Sequence, residues 1–365
     1  MNSRVALILV MILAGLAAAA LWPRFQPQRA PAAAPAAGGW YEIYFTQPRY
    51  PDRPENHRGG IDEKLVALID ATRRTLDVCV YEFDLENVAS AMARAKARGV
   101  TVRLVTDTDT LTSRDAATQR ALEKVKSAGI PIVDDQRRPI MHHKFVVFDG
   151  EVVLTGSWNF TDGDTYRLNN HAVLLRSQEL AANFSAEFEK MFTQRAFGPT
   201  KPRGVPHPRI TIGTAVVETY FASEDDPSVR LVELVRGAQK KIDFLAFSFT
   251  HEAIGNAVIE RARAGVKVRG VFETTGSETR FSEYGKMKAA GLEVYQDGNP
   301  YAMHHKVFVI DDRITIFGSF NFSDNAAQDN DENLLVVHDP AFAQAFTAEV
   351  ERIIAQARNP PQRAR

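Results

Sequence analysis

The sequence contains a single cysteine, so it cannot form an internal disulfide. That residue, Cys79, lies in an apolar run from Leu76 to Tyr81, which favours a small buried hydrophobe over a reactive thiol. The CxxC and HExxH spacings of common metal sites do not occur, and we expect no metal and no cofactor. Lys and Arg total 44 against 45 Asp and Glu, so the formal net charge is −1. Composition therefore does not indicate a strongly basic nucleic-acid-binding surface.

Acidic residues are absent before Glu42, and the N-terminal stretch is apolar from Val5 to Trp22. This pattern predicts that residues 1–22 are a signal peptide or an N-terminal membrane anchor. Residues 23–39 are rich in Ala and Pro, which is typical of a semi-extended linker. Both interpretations predict an exported protein. It is either periplasmic and membrane-anchored through the N-terminal segment, or secreted after cleavage.

The rest of the chain is an internal repeat. Strand-like segments at Trp40 and Val217 each precede an amphipathic helix, a buried strand, a second helix and a further strand, in the same order. Alternating strands and helices of this length predict an α/β fold with two pseudo-symmetric α/β/α halves, each a mixed β-sheet flanked by helices. We assign residues 40–198 to half 1 and 214–355 to half 2, with a linker at 199–213 and a disordered tail at 356–365.

One stretch of the repeat carries polar residues inside apolar, β-branched runs. It reads MHHKFVVFDGEVVLTGSWNF in half 1 and MHHKVFVIDDRITIFGSFNF in half 2. Both copies have the form His-x-Lys, four residues, Asp, six residues, Gly-Ser-x-Asn. The candidate site residues are His142, Lys144, Asp149, Ser157 and Asn159 in half 1, and His304, Lys306, Asp311, Ser319 and Asn321 in half 2.

Strand geometry separates the adjacent histidines of each copy. Because alternate side chains share a face, His142 points with Lys144, whereas His143 points to the other face. We therefore interpret His143 and its equivalent His305 as packed histidines rather than as half of a metal site.

A hairpin turn is expected in the middle of each copy. Asp149-Gly150 is a strong turn signal and Asp311-Asp312 is a weaker one. The strand after the turn then returns Ser157 and Asn159 towards the histidine end of the first strand. Asp149 and Asp311 are accordingly either structural turn residues or part of the site.

Each half offers an imidazole, an ammonium, a hydroxyl and a carboxamide. Lysine and asparagine donate hydrogen bonds, which suits an anionic oxygen. Two imidazoles brought together across a pseudo-two-fold axis provide a nucleophile and a general acid, which is sufficient for phosphoryl transfer without a metal.

The doubled pattern resembles the HKD motif of the phospholipase D superfamily, and the similarity extends from about Trp40 to Ile354. The resemblance implies a cleft between the halves, a complete site in one monomeric chain and a phosphohistidine intermediate. It implies His142 as nucleophile and His304 as general acid. It also implies a set of residues that hold or support the phosphoryl group: Lys144, Lys306, Asn159, Asn321, Ser157 and Ser319.

The family often has an acid after GSxN that bonds a catalytic histidine. Glu332 fits this role in half 2, and the corresponding position in half 1 is expected to be His171. That histidine is either a plain strand-start residue or a functional one, and the two imidazoles are expected to be unequally supported.

The superfamily includes phospholipases, endonucleases and phospholipid synthases. Export and the mild acidity of residues 40–365, which carry 41 basic against 45 acidic residues, favour a phospholipase D-like hydrolase acting on phospholipid at a membrane surface. The main alternative is an exported Nuc-like endonuclease with DNA or RNA as substrate, for which Arg137 and Arg138 are candidate backbone contacts. A cardiolipin synthase-like phosphatidyltransferase is the minor alternative.

Overall fold

The computed structural model describes residues 36–37 and 39–361. The predicted signal peptide or anchor lies outside the described residues, as does the end of the predicted tail. Among the residues described, no helix is both long enough and apolar enough to cross a membrane.

Half 1 is built on one mixed sheet. Its strands are β1 (Ala36–Ala37), β2 (Tyr41–Phe45), β3 (Thr75–Val80), β4 (Thr101–Thr106), β5 (Ile132–Asp134), β6 (Lys144–Phe148), β7 (Val152–Gly156) and β8 (His171–Arg176). They are ordered β1-β2-β8-β7-β6-β3-β4-β5, with β3, β4 and β5 parallel and the other pairs antiparallel. The helices are α1 (Ile61–Ala71), α2 (Glu86–Ala97), α3 (Thr108–Leu111), α4 (Ala116–Ser127), α5 (Asp162–Tyr166) and α6 (Gln178–Phe192).

Half 2 repeats this arrangement. Its strands are β9 (Arg209–Ile212), β10 (Ala215–Ala222), β11 (Lys241–Ala246), β12 (Lys267–Phe272), β13 (Glu293–Gln296), β14 (Lys306–Ile310), β15 (Ile314–Gly318) and β16 (Glu332–His338). Their order is β13-β12-β11-β14-β15-β16-β10-β9, so each strand from β10 onwards has the neighbours of its half 1 equivalent. The helices are α7 (Pro227–Gly237), α8 (Glu252–Arg263), α9 (Thr274–Ser277), α10 (Tyr284–Ala289), α11 (Asp324–Gln328) and α12 (Pro340–Arg358).

Two segments that the sequence suggested were irregular are ordered. Residues 199–213 include β9, which pairs antiparallel with β10 and extends the second sheet. Residues 356–358 belong to α12, so the prediction of a tail beginning at 356 was wrong there. The apolar faces of these segments pack on the sheet and on the core, and this packing outweighs their local Pro, Gly and charged composition.

The core has a central layer that both halves share. Phe184 and Phe188 of α6 pack in one cluster with Phe342 and Phe346 of α12, between the two sheets. The outer faces carry separate clusters, one under α1, α2 and α4 and one under α7 and α8. Both faces of each sheet are covered, which explains why β6 and β14 are apolar on both sides. Cys79 is buried in the shared layer, as expected.

The hairpin predicted in each copy is present. β6 pairs antiparallel with β7, and β14 with β15. Asp149 and Gly150 have φ values of 54° and 68°, and Asp311 and Asp312 both have 54°, which is the left-handed geometry of a tight hairpin turn. The histidine end and the Gly-Ser end of each copy therefore meet at one edge of the sheet.

Gly156 and Gly318 end the returning strands where backbones approach closely. Their φ values are 158° and 149°. A Cβ atom on Gly156 would collide with the carbonyl oxygen of His171, and one on Gly318 with that of Asn333. Glycine is required because the Gly-Ser segment must lie directly against the next strand.

Candidate active site

His142, two residues before β6, is held by a carboxylate from the other half. Its Nδ1 lies 2.7 Å from Oε2 of Glu332, the first residue of β16. Burial, together with Lys144 and Lys306, holds the pKa of His142 well below its usual range. Burial also raises the pKa of Glu332, although both lysines oppose that shift. The pair is desolvated, so its hydrogen bond determines the orientation of the ring.

His304 has a different kind of partner. Its Nδ1 lies 2.9 Å from Oδ1 of Asn170 and 3.3 Å from Oδ1 of Asp164. The amide orientation of Asn170 is determined by its Nδ2, which donates to the carbonyl and the carboxylate of Asp164. An amide oxygen can only accept, so Nδ1 of His304 carries a proton and Nε2 is the atom available for chemistry.

The expected equivalence of Glu332 with His171 was wrong. The backbone N–H of Ser157 bonds the carbonyl of His171, and that of Ser319 bonds the carbonyl of Asn333, so these last residues are equivalent. Glu332 therefore corresponds to Asn170. The error has a physical origin, because β8 begins at residue 171 and β16 at residue 332, so alignment by strand starts shifts the register by one residue.

Backbone bridges join the halves at both histidines. The N–H of His142 donates to the carbonyl of Asp331 at 3.0 Å, and the N–H of His304 donates to that of Asn169 at 2.9 Å. Parallel bridges pair Met141 with Asp331 and Asn169 with Met303. His142 is therefore bonded to the segment that precedes β16, and His304 to the segment that precedes β8, in each case in the opposite half.

Lys144 and Lys306 occupy equivalent buried positions. Each Nζ donates to the carbonyl of its own motif histidine, at 2.7 Å for Lys144 and 2.8 Å for Lys306. The two ammonium groups also lie over aromatic rings, 5.1 Å from the centroid of Tyr81 and 4.5 Å from that of Phe247. Burial lowers the pKa of Lys144 to about 8 and that of Lys306 well below its usual value. Two desolvated ammonium groups form a site suited to the charge of a phosphoryl group.

The motif serines support the partners of the histidines. Oγ of Ser157 donates to Oδ1 of Asn170 at 2.8 Å, and Oγ of Ser319 accepts the backbone N–H of Asn333, the neighbour of Glu332, at 3.0 Å. Both serines are fully buried. Ser157 thus acts on His304 through Asn170, and Ser319 holds the backbone next to Glu332.

The motif asparagines present an acceptor atom. Nδ2 of Asn159 donates to Oε2 of Glu82 at 3.1 Å and lies 3.4 Å from Oδ1 of Asp164. Oδ1 of Asn159 and Oδ1 of Asn321 are buried atoms with no hydrogen-bond partner among the described residues. An unpaired buried acceptor is costly, so a donor on a bound molecule would satisfy it. The role of Asn159 and Asn321 in holding a phosphoryl oxygen stays a prediction.

Asp149 and Asp311 are not at this centre, so the prediction that they are catalytic residues of the site was wrong. The Asp149 carboxylate accepts the backbone N–H groups of residues 73–75, and that of Asp311 accepts those of residues 239–241. They lie at the opposite end of β6 and β14 from the histidines, seven residues along the chain, or roughly 20 Å at the rise of a strand. The backbone donors hold the pKa of both carboxyls below the usual value, against the effect of burial. Their fixed spacing is therefore explained by a turn.

The second histidine of each pair faces the core, which confirms their interpretation as packed residues. Nε2 of His143 lies 3.2 Å from Oε1 of Glu187, and Nε2 of His305 lies 2.9 Å from Oε1 of Glu349. His171 joins this layer, with its Nδ1 2.9 Å from Nδ1 of His305. All three imidazoles are completely buried.

Lys201, in the predicted linker, is a buried cation that pairs with three carboxylates. Its Nζ pairs with the carboxylate of Glu187, with Glu224 at 3.1 Å and with Asp331 at 2.8 Å. Asp331 is the residue whose carbonyl receives the N–H of His142. The crossover is therefore linked to the centre by charge as well as by chain connectivity.

An acidic cavity of about 850 Å³ opens on the half 1 side of the centre. Tyr81 forms part of its wall, and the ring of Tyr81 lies 5.2 Å from that of His142, centroid to centroid. The carboxylates that line the cavity are Asp62, Glu82, Asp84, Glu86, Asp109, Asp115 and Asp162, and two arginines, Arg120 and Arg167, pair with Glu86 and Asp162. Burial raises the pKa of Asp84 to about 6. Half 2 has Ser248 and Thr250 in place of Glu82 and Asp84, so the acidity is one-sided.

No group of three or more His, Cys, Asp or Glu side chains within residues 36–37 and 39–361 is arranged to hold a metal ion. The expectation of chemistry without a metal stays a prediction.

A family model described as "Cardiolipin synthase, PLD-like domain" matches residues 65–192 and 231–354, once in each half. Together the two matches cover more than half of the chain. The chain belongs to the phospholipase D superfamily. The resemblance carried by the doubled motif is thereby confirmed, and so is the predicted class of fold.

Two relatives and one solved structure illustrate the range of this superfamily. A mitochondrial cardiolipin hydrolase of Xenopus tropicalis is 33% identical over 141 residues, which are 39% of this chain and 65% of the relative. A phospholipase D of Rickettsia prowazekii (strain Madrid E) is 29% identical over 130 residues, 36% of this chain and 63% of the relative. The crystal structure of a phosphatidylserine synthase from Haemophilus influenzae Rd KW20 matches with a TM-score of 0.60 and 15% identity, and the match covers 86% of each chain. At that identity the structural match shows a shared fold alone.

The chain spans less than two thirds of the length of the first curated relatives that it matches. The superfamily is thus established, and the reaction and substrate of this chain are addressed below.

Proposed function

We propose that the chain is a phosphodiesterase of the phospholipase D type that hydrolyses the head-group phosphodiester of phospholipids through a phosphohistidine, without a metal. The observation that carries the proposal is the reciprocal support of two buried imidazoles. Glu332 of half 2 holds His142, and Asn170 of half 1 holds His304. A single chain therefore supplies both the nucleophile and the acid.

In the proposed first step, Nε2 of His142 attacks phosphorus and forms a P–N bond while the P–O bond to the head group breaks. The imidazolium of His304 gives its Nε2 proton to the departing oxygen, so the head group leaves as an alcohol. In the second step, His304 takes a proton from water and the water oxygen attacks phosphorus. The P–N bond breaks, and both histidines regain their starting protonation states.

Lys144 and Lys306 are the proposed stabilisers of the phosphoryl group. Their low pKa values follow from desolvation, which a bound dianionic transition state would reverse by supplying a counter-charge. Fixed ammonium groups in a dry site stabilise developing charge without reorganisation.

The acidic cavity supports a lipid substrate over a nucleic acid. A polynucleotide extends past the cleaved bond on both sides, and the carboxylates of the cavity, which outnumber its two arginines, would repel the neighbouring phosphates. Arg137, a candidate backbone contact for nucleic acid, instead lies 3.5 Å from the buried carboxylate of Asp331. The names of the relatives, cardiolipin hydrolase and phospholipase D, also support a lipid.

The test is an assay of the full chain in detergent micelles with phosphatidylcholine, phosphatidylglycerol or cardiolipin, and in parallel with plasmid DNA, each in the presence of EDTA. We expect release of the head group or of phosphatidic acid, and no nicking of the plasmid. Plasmid nicking without lipid turnover would reject the phospholipase and favour the endonuclease. Activity that disappears in EDTA and returns with added Mg²⁺ or Ca²⁺ would reject the metal-independent route.

The intermediate can be tested directly. Rapid acid-free quench of the enzyme with ³²P-labelled phospholipid is expected to leave acid-labile, base-stable label on the protein. That label should be absent in His142→Ala. Label that persists in this variant would assign the nucleophile to His304 instead.

A further inference from the structure

The two halves supply a carboxylate to the opposite histidine from different places. In half 2, the strand position at the start of β16 carries Glu332. In half 1 the equivalent strand position carries the neutral Asn170. A buried carboxylate is found instead at Asp164 in α5, where half 2 has Ala326.

Asp164 lies where it can act on His304. It is 4% exposed, and its Oδ1 is 3.3 Å from Nδ1 of that ring. The same Oδ1 accepts from Nδ2 of Asn170 at 3.0 Å and from the N–H of Asn159 at 3.2 Å. The donors hold the carboxylate in place, and one of them is the amide that contacts His304.

The turn that carries Asp164 does not need its carboxylate. In half 1 the hydroxyl of Thr161 caps α5 by accepting from the N–H of Asp164. In half 2 the hydroxyl of Ser323 caps α11 by accepting from the N–H of Ala326. Both helices span five residues, so the same local structure forms with alanine at this position. Formation of the helix therefore does not require the acid.

We propose that Asp164 is the positioning carboxylate of His304, supplied from α5 in place of the strand position that serves His142. This inference rests on the proposed function, because it gives Asp164 a task only if His304 alternates between imidazole and imidazolium. Asp164 acts through His304 and through Asn170 rather than on the substrate.

The charges around His304 make a nearby anion necessary. Lys306 on β14 and Lys144 on β6 both destabilise an imidazolium at this position, Asn170 on β8 is neutral, and the ring of Phe247 packs against the histidine. Burial, aided by Lys306, lowers the pKa of His304 to about 3, and Asp164 opposes that shift. The pKa of Asp164 itself is lowered, because its bond to His304 and its other donors outweigh the effect of burial. Asp164 is thus ionised when the general acid must hold a proton.

The decisive variant is Asp164→Asn, which keeps the volume and removes the charge. We expect kcat to fall about 10²-fold, on the scale of general-acid contributions, with KM for micellar phospholipid within about twofold of the wild type. The variant has lost the group that raises the pKa of His304, so the protonated acid disappears at lower pH. The alkaline limb of the kcat profile should therefore move to lower pH. A structural role would change thermal stability and KM but not this limb.

A second variant tests whether the carboxylate of Asp164 replaces one at the position of Asn170. Asn170→Glu combined with Asp164→Asn places the carboxylate at the position that Glu332 occupies in half 2. We expect it to recover at least tenfold in kcat and to return the alkaline limb towards that of the wild type. The matched control is Asp324→Asn, an exposed acid at the first position of α11, which should leave kcat and the pH profile unchanged.

Two results would overturn the inference. Asp164→Asn with an unchanged kcat and pH profile would show that His304 does not use this carboxylate. Loss of activity together with loss of folding by circular dichroism, without recovery in the double variant, would assign Asp164 to structure alone. Failure of the proposed function would look different, since the wild type would then turn over no phospholipid or His304→Ala would remain active.

Discussion

His142 and His304 come from copies of one motif, yet the opposite half supports each of them with different chemistry. His142 bonds a glutamate directly at 2.7 Å. His304 bonds an amide at 2.9 Å and has a carboxylate 3.3 Å away. Both rings are desolvated and both face two buried lysines, so the difference lies in the anion. A carboxylate bonded directly to the ring stabilises a positive charge that persists, as in a phosphohistidine. A carboxylate farther from the ring stabilises the imidazolium less, which suits a histidine that must give up its proton.

The layer behind the site differs in the same way. His143 bonds Glu187, whose carboxylate also meets Lys190 and the linker residue Lys201. His305 bonds Glu349, whose counter-charge is Arg352, a residue that is one-third exposed. Half 1 thus has a cluster of buried charges, whereas half 2 has one buried carboxylate whose arginine partner is one-third exposed. The repeat preserved the histidines, and the surroundings diverged.

The largest expected effect falls where the halves are alike. His142→Ala and His304→Ala should each lower kcat on phospholipid by at least about 10⁴-fold, because two groups that act as a unit are each indispensable. Initial rates on mixed micelles, with folding checked by circular dichroism, provide the measurement. His207→Ala, in the crossover, is the control and should keep full activity. A variant of either motif histidine that retains more than a hundredth of the rate would refute the two-imidazole scheme.

The next prediction compares how much the cation in the layer behind the site contributes to the free energy of unfolding in each half. Lys201→Met leaves three buried carboxylates around a missing charge and should lower the free energy of unfolding by about 3–5 kcal/mol. Arg352→Met in half 2 should lower it less, by about 1–2 kcal/mol, because only one buried carboxylate loses its counter-charge and the arginine it replaces is one-third exposed. Urea denaturation followed by fluorescence measures both. Equal losses in the two variants would contradict the difference described for the layer behind the site.

Glu332→Gln tests the direct carboxylate of His142. We expect kcat to fall about 10²-fold or more, since the buried hydrogen bond persists and the negative charge is lost. Burial raises the pKa of Glu332, so its carboxylate protonates early as the pH falls and the wild-type rate should decline towards acid. The variant has no such group, and its acidic limb should flatten. Glu233→Gln, at an exposed ion pair, is the control. If the acidic limb of the variant were the same as that of the wild type, Glu332 would not be the group whose protonation lowers the rate.

The smallest effect concerns the turn acids, where the halves are again alike. Asp149→Asn and Asp311→Asn should each cost about 1–2 kcal/mol of stability, because charge-assisted bonds to three backbone N–H groups are weakened. Their kcat should stay within twofold of the wild type. Both folded-state pKa values are lowered, so this stabilisation is present above the unfolded value of about 3.9 and is lost as the pH falls through the folded value. Denaturation at pH 7 and in acid checks the sign. A hundredfold loss of kcat would return these residues to the active centre.

Local sequence patterns were sufficient for the fold and for part of the site. The repeat, the alternation of strands and helices, and the turn at Asp149-Gly150 are short-range features that the structure reproduces. Pattern also separated His142 from the packed His143. The aspartates were harder to place, because constant spacing does not distinguish a residue that reacts from one that caps a loop.

Other parts of the site required the tertiary structure. Asn170 was one residue away from the expected position, and the separations from Ser157 to Asn170 and from Ser319 to Glu332 would have identified it. Asp164 gave no signal of its own, since an acid in a polar turn is ordinary. Lys201 lay in a Pro/Gly-rich stretch where burial of a charge is not expected.

The two halves, the imidazoles and lysines of the site and the strands that carry them can all be predicted from the amino-acid sequence. These depend on periodicity and on turn chemistry within about twenty residues. Which anion contacts which histidine depends on the tertiary structure. The partners are separated by 190 residues for His142 and Glu332, and by 134 for His304 and Asn170. No local pattern connects such distances, because the contact exists only when the two sheets pack against one shared core.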